Sequence, residues 1–196
     1  MKNCVEKKVR AFTAKKTNKD MTEICKTTLS MYSMLYSLVC SIDKLILFKA
    51  QSSMYLPICS DIEECGENII ELSEKKIALI NLKILIDESL NELKDDQVRL
   101  LLLRYVDGLK CEACMRVLDL NERTFFRKID KALASFKKIF CYKLSQNPRI
   151  SQDIFGKSVT NDIFCKVSEF ESRGGNVREN KDLICNFIVK RLRKMF

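Results

Sequence analysis

Hydrophobic and polar positions along the chain repeat at three- and four-residue spacing in almost every segment, and no stretch alternates with the two-residue period of a half-buried strand. The pattern predicts an all-α protein. Residues 27–42 carry no charge, and Ser30, Ser33, Ser37 and Ser41 form a polar line at helical spacing within them. That describes a helix packed on both flanks of the line. After Pro57, the sequence Ser60-Asp61-Ile62-Glu63 has the form of a capping box and opens a helix expected to run to about Leu93. Two heptad series mark it, Ile70, Ile77, Ile84 and Leu72, Leu79, Ile86, Leu93. Together they predict an apolar face too wide for a coiled-coil seam, which favours burial inside the domain, with homodimerisation as the lesser option.

The segment from Asp95 to Phe140 is the most informative. Asp95 and Asp96 suit an N-cap and first turn, Val98, Leu101, Leu102, Tyr105 and Val106 make an apolar stripe, and Asp107-Gly108 ends the helix. A short helix from Lys110 to Leu118 follows, with Cys114, Val117 and Leu118 expected on its inner side. Asp119-Leu120-Asn121 then supplies a residue tolerant of left-handed backbone, a buried Leu and an N-cap. In the third helix Phe125, Ile129, Ala132, Leu133, Phe136 and Phe140 share one stripe. Outside it stand Glu122, Arg123, Thr124, Phe126, Arg127, Lys128 and Lys131, where a recognition helix presents side chains to base edges and phosphates in the major groove. From Asn121 to Lys143 seven cations face two acids. Lys110, Glu122, Arg123, Thr124, Phe126, Arg127, Lys128 and Lys131 are the candidate DNA-binding residues: Arg123 and Arg127 for bases, Lys110, Lys128 and Lys131 for phosphates. Phe126 lies about 100° round from Phe125, beside the two arginines, and is expected to meet the groove or a partner.

Leu103-Arg104-Tyr105, Gly108, Glu112, Val117-Leu118, Thr124-Phe125, Lys128 and Ala132-Leu133 appear in the order and spacing of a known family. The segment resembles region 4 of sigma-70-type RNA polymerase sigma factors. The resemblance spans about forty residues without a gap, roughly a quarter of the chain. It implies a helix-turn-helix within a helical bundle, double-stranded DNA as ligand and RNA polymerase as a possible partner, in a bacterial or phage setting. Lys110 stands where the family has a Ser or Thr cap, Met115 where it has Ala, and Asp119 where it has the turn Gly. The clustered aromatics with Trp that melt promoter DNA in complete sigma factors have no counterpart, since the chain has no Trp. A sigma-like transcriptional regulator is the closer likeness.

These readings divide the chain into an N-terminal helical region (1–57), a long helix (58–94), the helix-turn-helix (95–147) and a basic helical extension (148–196). In the extension, Asn161 is expected to cap a helix with Ile163, Phe164, Val167 and Phe170, and 173–176 to break it. A last helix is expected to carry Leu183, Ile184, Phe187, Ile188, Leu192 and Met195 on one side, with cations near its negative end.

Composition refines the picture. The formal net charge is +9 over 196 residues, which suits a polyanionic partner, yet eleven acids face four lysines between Ile58 and Gln97. The cations therefore lie at the two ends and on the third helix. Ten cysteines and no His give one Cys-x-x-C, Cys111 to Cys114, and no second pair to complete a zinc site. With no secretory pattern, the thiols are expected to be reduced in a cytoplasmic setting, with no metal and no cofactor. The uncharged run 27–42 is shorter than the roughly twenty residues of a bilayer crossing, so no span is expected. Gly156-Lys157-Ser158 lacks the first Gly of a phosphate loop, and no general base or paired carboxylates suggest an enzyme. Three functions remain: a sequence-specific DNA-binding regulator, a polymerase- or sigma-binding adaptor, and a basic peripheral membrane protein.

Overall fold

The computed structural model describes residues 18–53, 60–148, 150, 152, 165–170, 177 and 179–194. Expectations resting on Pro57, the side chains of Ser60 to Ile62, Gly156, Asn161 to Phe164, residues 173–176 and Met195 lie outside the described part. Among the described residues the protein is all-helical and has no strand.

Helices α1 (Asn18–Ser53) and α2 (Ser60–Asn91) form an antiparallel pair. Their direction is read from contacts that run oppositely in number. The Tyr32 hydroxyl donates to Asp87, Lys76 Nζ meets Asp43 at 2.6 Å, and the Cys65 thiol donates to the Lys49 carbonyl at 3.5 Å. Helix α3 (Asp95–Leu101) continues as a π-helical segment, Leu102–Val106. Then come α4 (Cys111–Leu118), α5 (Glu122–Gln146) and α6 (Lys181–Lys194).

One hydrophobic cluster joins all six helices. Leu29, Leu35, Leu38 and Ile42 of α1 and Leu72, Leu79, Leu82 and Ile86 of α2 are buried in it, with Leu101, Cys114, Phe125, Phe136, Ile184 and Ile188 from the others. Two buried hydroxyls inside it are satisfied locally: Thr28 and Ser89 donate to carbonyls four residues back, at 2.7 and 2.6 Å. The serine line on α1 is not a solvent face, because Ser30 is buried and Ser33, Ser37 and Ser41 are half-buried. Over Met21–Gln51, α1 is long and apolar enough to cross a bilayer, beyond the extent of the uncharged run. In this fold its buried side chains pack against α2, the π-helical segment, α5 and α6, while Tyr36, Leu47 and Phe48 are exposed.

The two heptad series of α2 part company. Leu72, Leu79 and Ile86 are fully buried, whereas Ile70, Ile77 and Ile84 are 62%, 55% and 48% exposed. The wide apolar face expected to be buried as a unit is therefore two faces. Only one packs against the domain, because residues two positions apart on a helix diverge by about 200°.

In α6 the buried side is Ile184, Cys185, Ile188 and Leu192, while Leu183 and Phe187, expected on that side, are exposed. Lys166 Nζ lies 4.6 Å from the Phe187 ring centroid, so the ring finds a cation at the surface. Helical residues 165–170 contribute buried Val167 and half-buried Phe170.

Candidate nucleic-acid interface

Helix α3 begins one residue earlier than its acids suggest. Lys94 occupies the N-cap with extended backbone and no side-chain cap, and its carbonyl accepts from Gln97 N at 2.8 Å and Val98 N at 3.0 Å. Asp95 and Asp96 thus fall in the first turn, still at the positive end of the helix dipole. Leu100 and Leu101 are buried, and the helix widens to its π-helical end, where Asp107 N donates to Leu102 O at 2.8 Å. Gly108 follows at φ 66°, a left-handed conformation that costs glycine nothing.

Arg104 closes this bend. Its guanidinium donates to the Leu109 carbonyl at 3.1 Å and lies 5.8 Å from the Tyr105 ring centroid. The Cys114 thiol donates to the same carbonyl at 3.7 Å. Arg104 and Tyr105 therefore fix the entry to α4 rather than facing solvent, and burial pushes the Tyr105 hydroxyl up to about 12. Cys114 is fully buried and Cys111 half-buried, and no metal-binding cluster occurs among the described residues.

The turn from α4 to α5 is a Schellman motif built on a non-glycine residue. Asp119 adopts φ 48°, ψ 52°, its N–H donates to Arg116 O at 3.4 Å, and Leu120 N donates to Met115 O at 3.0 Å. Leu120 and Met115, the pair that makes the hydrophobic contact of such a motif, are both half-buried against the core. Asn121 then caps α5, its side-chain oxygen accepting from Thr124 N at 2.8 Å. Val117 is 52% exposed, against the expectation that it faces inward. The short α4 turns only Cys114 fully inward, and Leu118 partly. Exposed Arg116 beside Val117 was not among the candidates, since a single cation in a last helical turn is ordinary dipole complementation.

Along α5 the apolar stripe is as expected: Phe125, Ile129, Ala132, Leu133, Phe136 and Phe140 are all buried, and the Phe136 and Phe140 rings stack at 5.4 Å. The C-terminal half is also held by its polar residues. Lys143 Nζ meets Glu92 at 2.7 Å and Glu88 at 3.4 Å, and Lys137 Nζ donates to Thr22 at 3.2 Å. These two lysines, counted in the basic balance of the segment, serve the fold. Glu92 and Glu88 hold the Lys143 ammonium above its ordinary pKa.

What remains is Lys138, exposed in the C-terminal half, and a basic surface on the first three turns. Glu122, Arg123, Phe126, Arg127, Lys128 and Lys131 are exposed, with Thr124 half-buried at the capped end. Lys110, at the N-cap of α4, is exposed as well. Among the described residues none of Lys110, Arg123, Arg127, Lys128 and Lys131 makes a salt bridge. Phe126 is 45% exposed, and its ring meets that of fully buried Phe125 edge-on at 5.4 Å and 75°. The fold thus leaves Arg123, Phe126, Arg127, Lys128 and Lys131 exposed together on α5, with the carboxylate of exposed Asp130 among them.

Away from this surface, Cys141 of α5 receives a hydrogen bond from the Cys25 thiol of α1. That bond, aided by Lys137, lowers the Cys141 thiol below the ordinary thiol value and raises its neighbour. No protein-family model, curated protein or solved structure matches the chain.

Proposed function

We propose that the protein is a sequence-specific DNA-binding transcriptional regulator in which α4, the Asp119 turn and α5 act as a helix-turn-helix similar to sigma region 4. The observation that carries the reading is the division of labour along α5. Its C-terminal half spends Lys137 and Lys143 on α1 and the end of α2 and leaves, of its cations, only Lys138 exposed, whereas its first three turns present four cations and an aromatic ring to solvent. A helix held at one end and basic at the other suits insertion into a major groove. Arg123 and Arg127 are the candidates for bidentate contacts to guanine, Lys110, Lys128 and Lys131 for phosphates, and Phe126 for a thymine methyl. Glu122, in the first turn, accepts from a cytosine amino group or orients Arg123, and Thr124 reaches base or phosphate.

The deciding experiment is fluorescence anisotropy on the duplex upstream of the protein's own gene and on random duplex, across a salt series. Three phosphate-directed cations give a slope of log K against log salt of about −2.7, at about −0.9 per contact. Affinity indifferent to salt, or equal on both duplexes, refutes the reading.

A second reading rests on the exposed Phe126 and Val117. Apolar side chains on both helices of the motif suit a protein partner, which would make the chain an RNA polymerase- or sigma-binding adaptor. Salt-insensitive binding to polymerase without DNA affinity is its signature. In either reading the protein works in the cytoplasm without a cofactor.

A further inference from the structure

We propose that the outward face of α2 is a homodimer interface in which the α2 helices of two copies pair side by side and parallel. Ile70, Ile77 and Ile84 stand seven residues apart, and each is about half exposed or more. Set at the a positions of a heptad, they place Ser73, Ile80 and Asp87 at d. Ile80 and Ser73 are half-buried at the edge of the same face, and Asp87 is taken up by Tyr32 and Lys83 of its own chain. The seam is therefore the isoleucine run from 70 to 84, closed at its end by a satisfied carboxylate. A solvated helix face has no need of isoleucine at three successive heptad positions.

The flanking charges identify the occupant as a second copy and fix its direction. Glu74, Asn81 and Glu88 fall at e, and Lys76 and Lys83 at g. In a parallel pair each g position meets the e position five residues further along the other helix, so Lys83 faces Glu88 across the seam, while Lys76, held by Asp43 of its own chain, meets the neutral Asn81. In an antiparallel pair e meets e and g meets g, which sets carboxylate against carboxylate and ammonium against ammonium. The Lys83 and Glu88 side chains are 40% and 55% exposed, so both reach a partner while keeping their contacts to Asp87 and Lys143.

Parallel pairing has a consequence that rests on the DNA-binding reading. Helix α2 ends at Asn91 and α3 begins at Asp95, so both C-terminal ends of the pair lead into α3 to α5 on the same side of the molecule. Two reading helices related by a two-fold axis along the α2 pair then face one duplex. The site they fit is an inverted repeat with half-sites about one helical turn apart, or a multiple of it.

Sedimentation velocity of the full chain without DNA, from about 1 to about 100 μM, tests the interface directly. The expected result is a concentration-dependent monomer–dimer equilibrium. Ile77→Lys and Ile84→Lys, changes at exposed positions, should weaken it by at least about tenfold while circular dichroism stays native. A benzophenone-bearing amino acid at position 84 should crosslink to residues around 84 of an isotope-labelled second copy. A chain that stays monomeric at the highest concentration overturns the proposal, as does a dimer that ignores both lysine variants. Crosslinking to residues around 70 overturns the parallel arrangement. In a separate arm, the wild-type chain should prefer an inverted repeat over a single half-site by at least about 100-fold, and the lysine variants should lose that preference. A chain that dimerises through position 84 but binds no DNA sinks the DNA reading and leaves the interface standing.

Discussion

Phe125 and Phe126 are adjacent, chemically identical and turned to opposite surroundings, which makes them a controlled pair. Phe125 is fully buried in the cluster that unites α5 with the rest of the fold, while Phe126 is 45% exposed and touches Phe125 edge-on. Truncating the buried ring removes its transfer free energy and leaves a cavity, a loss of about 3–5 kcal/mol. Truncating the exposed ring forfeits the edge-on contact and the covered half of its surface, about 1–1.5 kcal/mol. For a chain of this length a kilocalorie corresponds to about 2–4 °C in Tm, so Phe125→Ala should lower Tm by about 6–20 °C and Phe126→Ala by about 2–6 °C. Urea denaturation followed by circular dichroism measures the first quantity, and duplex binding measured well below both Tm values isolates the second. Phe126→Ala should lose affinity for DNA or polymerase out of proportion to its stability. Equal destabilisation by the two substitutions, or full binding by a well-folded Phe126→Ala, would refute the assignment of that ring to the functional surface.

Other expectations follow from the same surface and its supports. Arg127→Ala should relax sequence preference at one base pair by about 1–3 kcal/mol, whereas Lys131→Ala should weaken all duplexes alike and shallow the salt slope by about one unit; a competition panel of point-mutated sites separates them. At the turn, Asp119→Val places a β-branched residue at φ 48° and should cost about 1–2 kcal/mol, and Asn121→Ala about 1 kcal/mol by loss of the cap to Thr124, both read by urea denaturation. The Cys141 thiol, lowered by the Cys25 hydrogen bond, should be alkylated by iodoacetamide with a midpoint below the ordinary thiol range, since the thiolate reacts and a lower pKa populates it at lower pH. Cys25→Ser should move that midpoint, and a wild-type midpoint near the ordinary thiol value would contradict the hydrogen bond.

The helical segment from Asp95 to Phe140 was legible in the sequence because its information is local. A left-handed residue, a cap and a 3.6-residue stripe each act over one or two turns, and Asp119, Asn121 and the Phe125-to-Phe140 stripe stand as their chemistry dictates. The start of α3 slipped by one residue because a helix begins where the first carbonyl accepts, here that of Lys94, and not at the best capping side chain. Val117, Leu183 and Phe187 were misplaced for a different reason. Apolar character states what a residue tolerates, while exposure depends on whether a neighbouring element covers that face, and the covering element is remote in sequence.

The same limit governs α2, and there it bears on function. Its two isoleucine and leucine series look equivalent along the chain, since each is apolar every seventh residue. They become different only when α1 and α5 cover the side holding Leu72, Leu79 and Ile86 and leave Ile70, Ile77 and Ile84 in solvent. The acids that looked like an ordinary solvated face divide in the same way. Glu88 and Glu92 hold Lys143, which ties α5 to the long helix, and Asp87 holds Lys83 and Tyr32. By tying up Lys143 from the end of α2, this acidic stretch takes one cation out of the basic surface of α5, which keeps Arg123, Arg127, Lys128 and Lys131 in its first three turns and Lys138 beyond them. If α5 binds the polyanion proposed for it, the segment with the most negative charge thereby limits how far along the helix that contact extends.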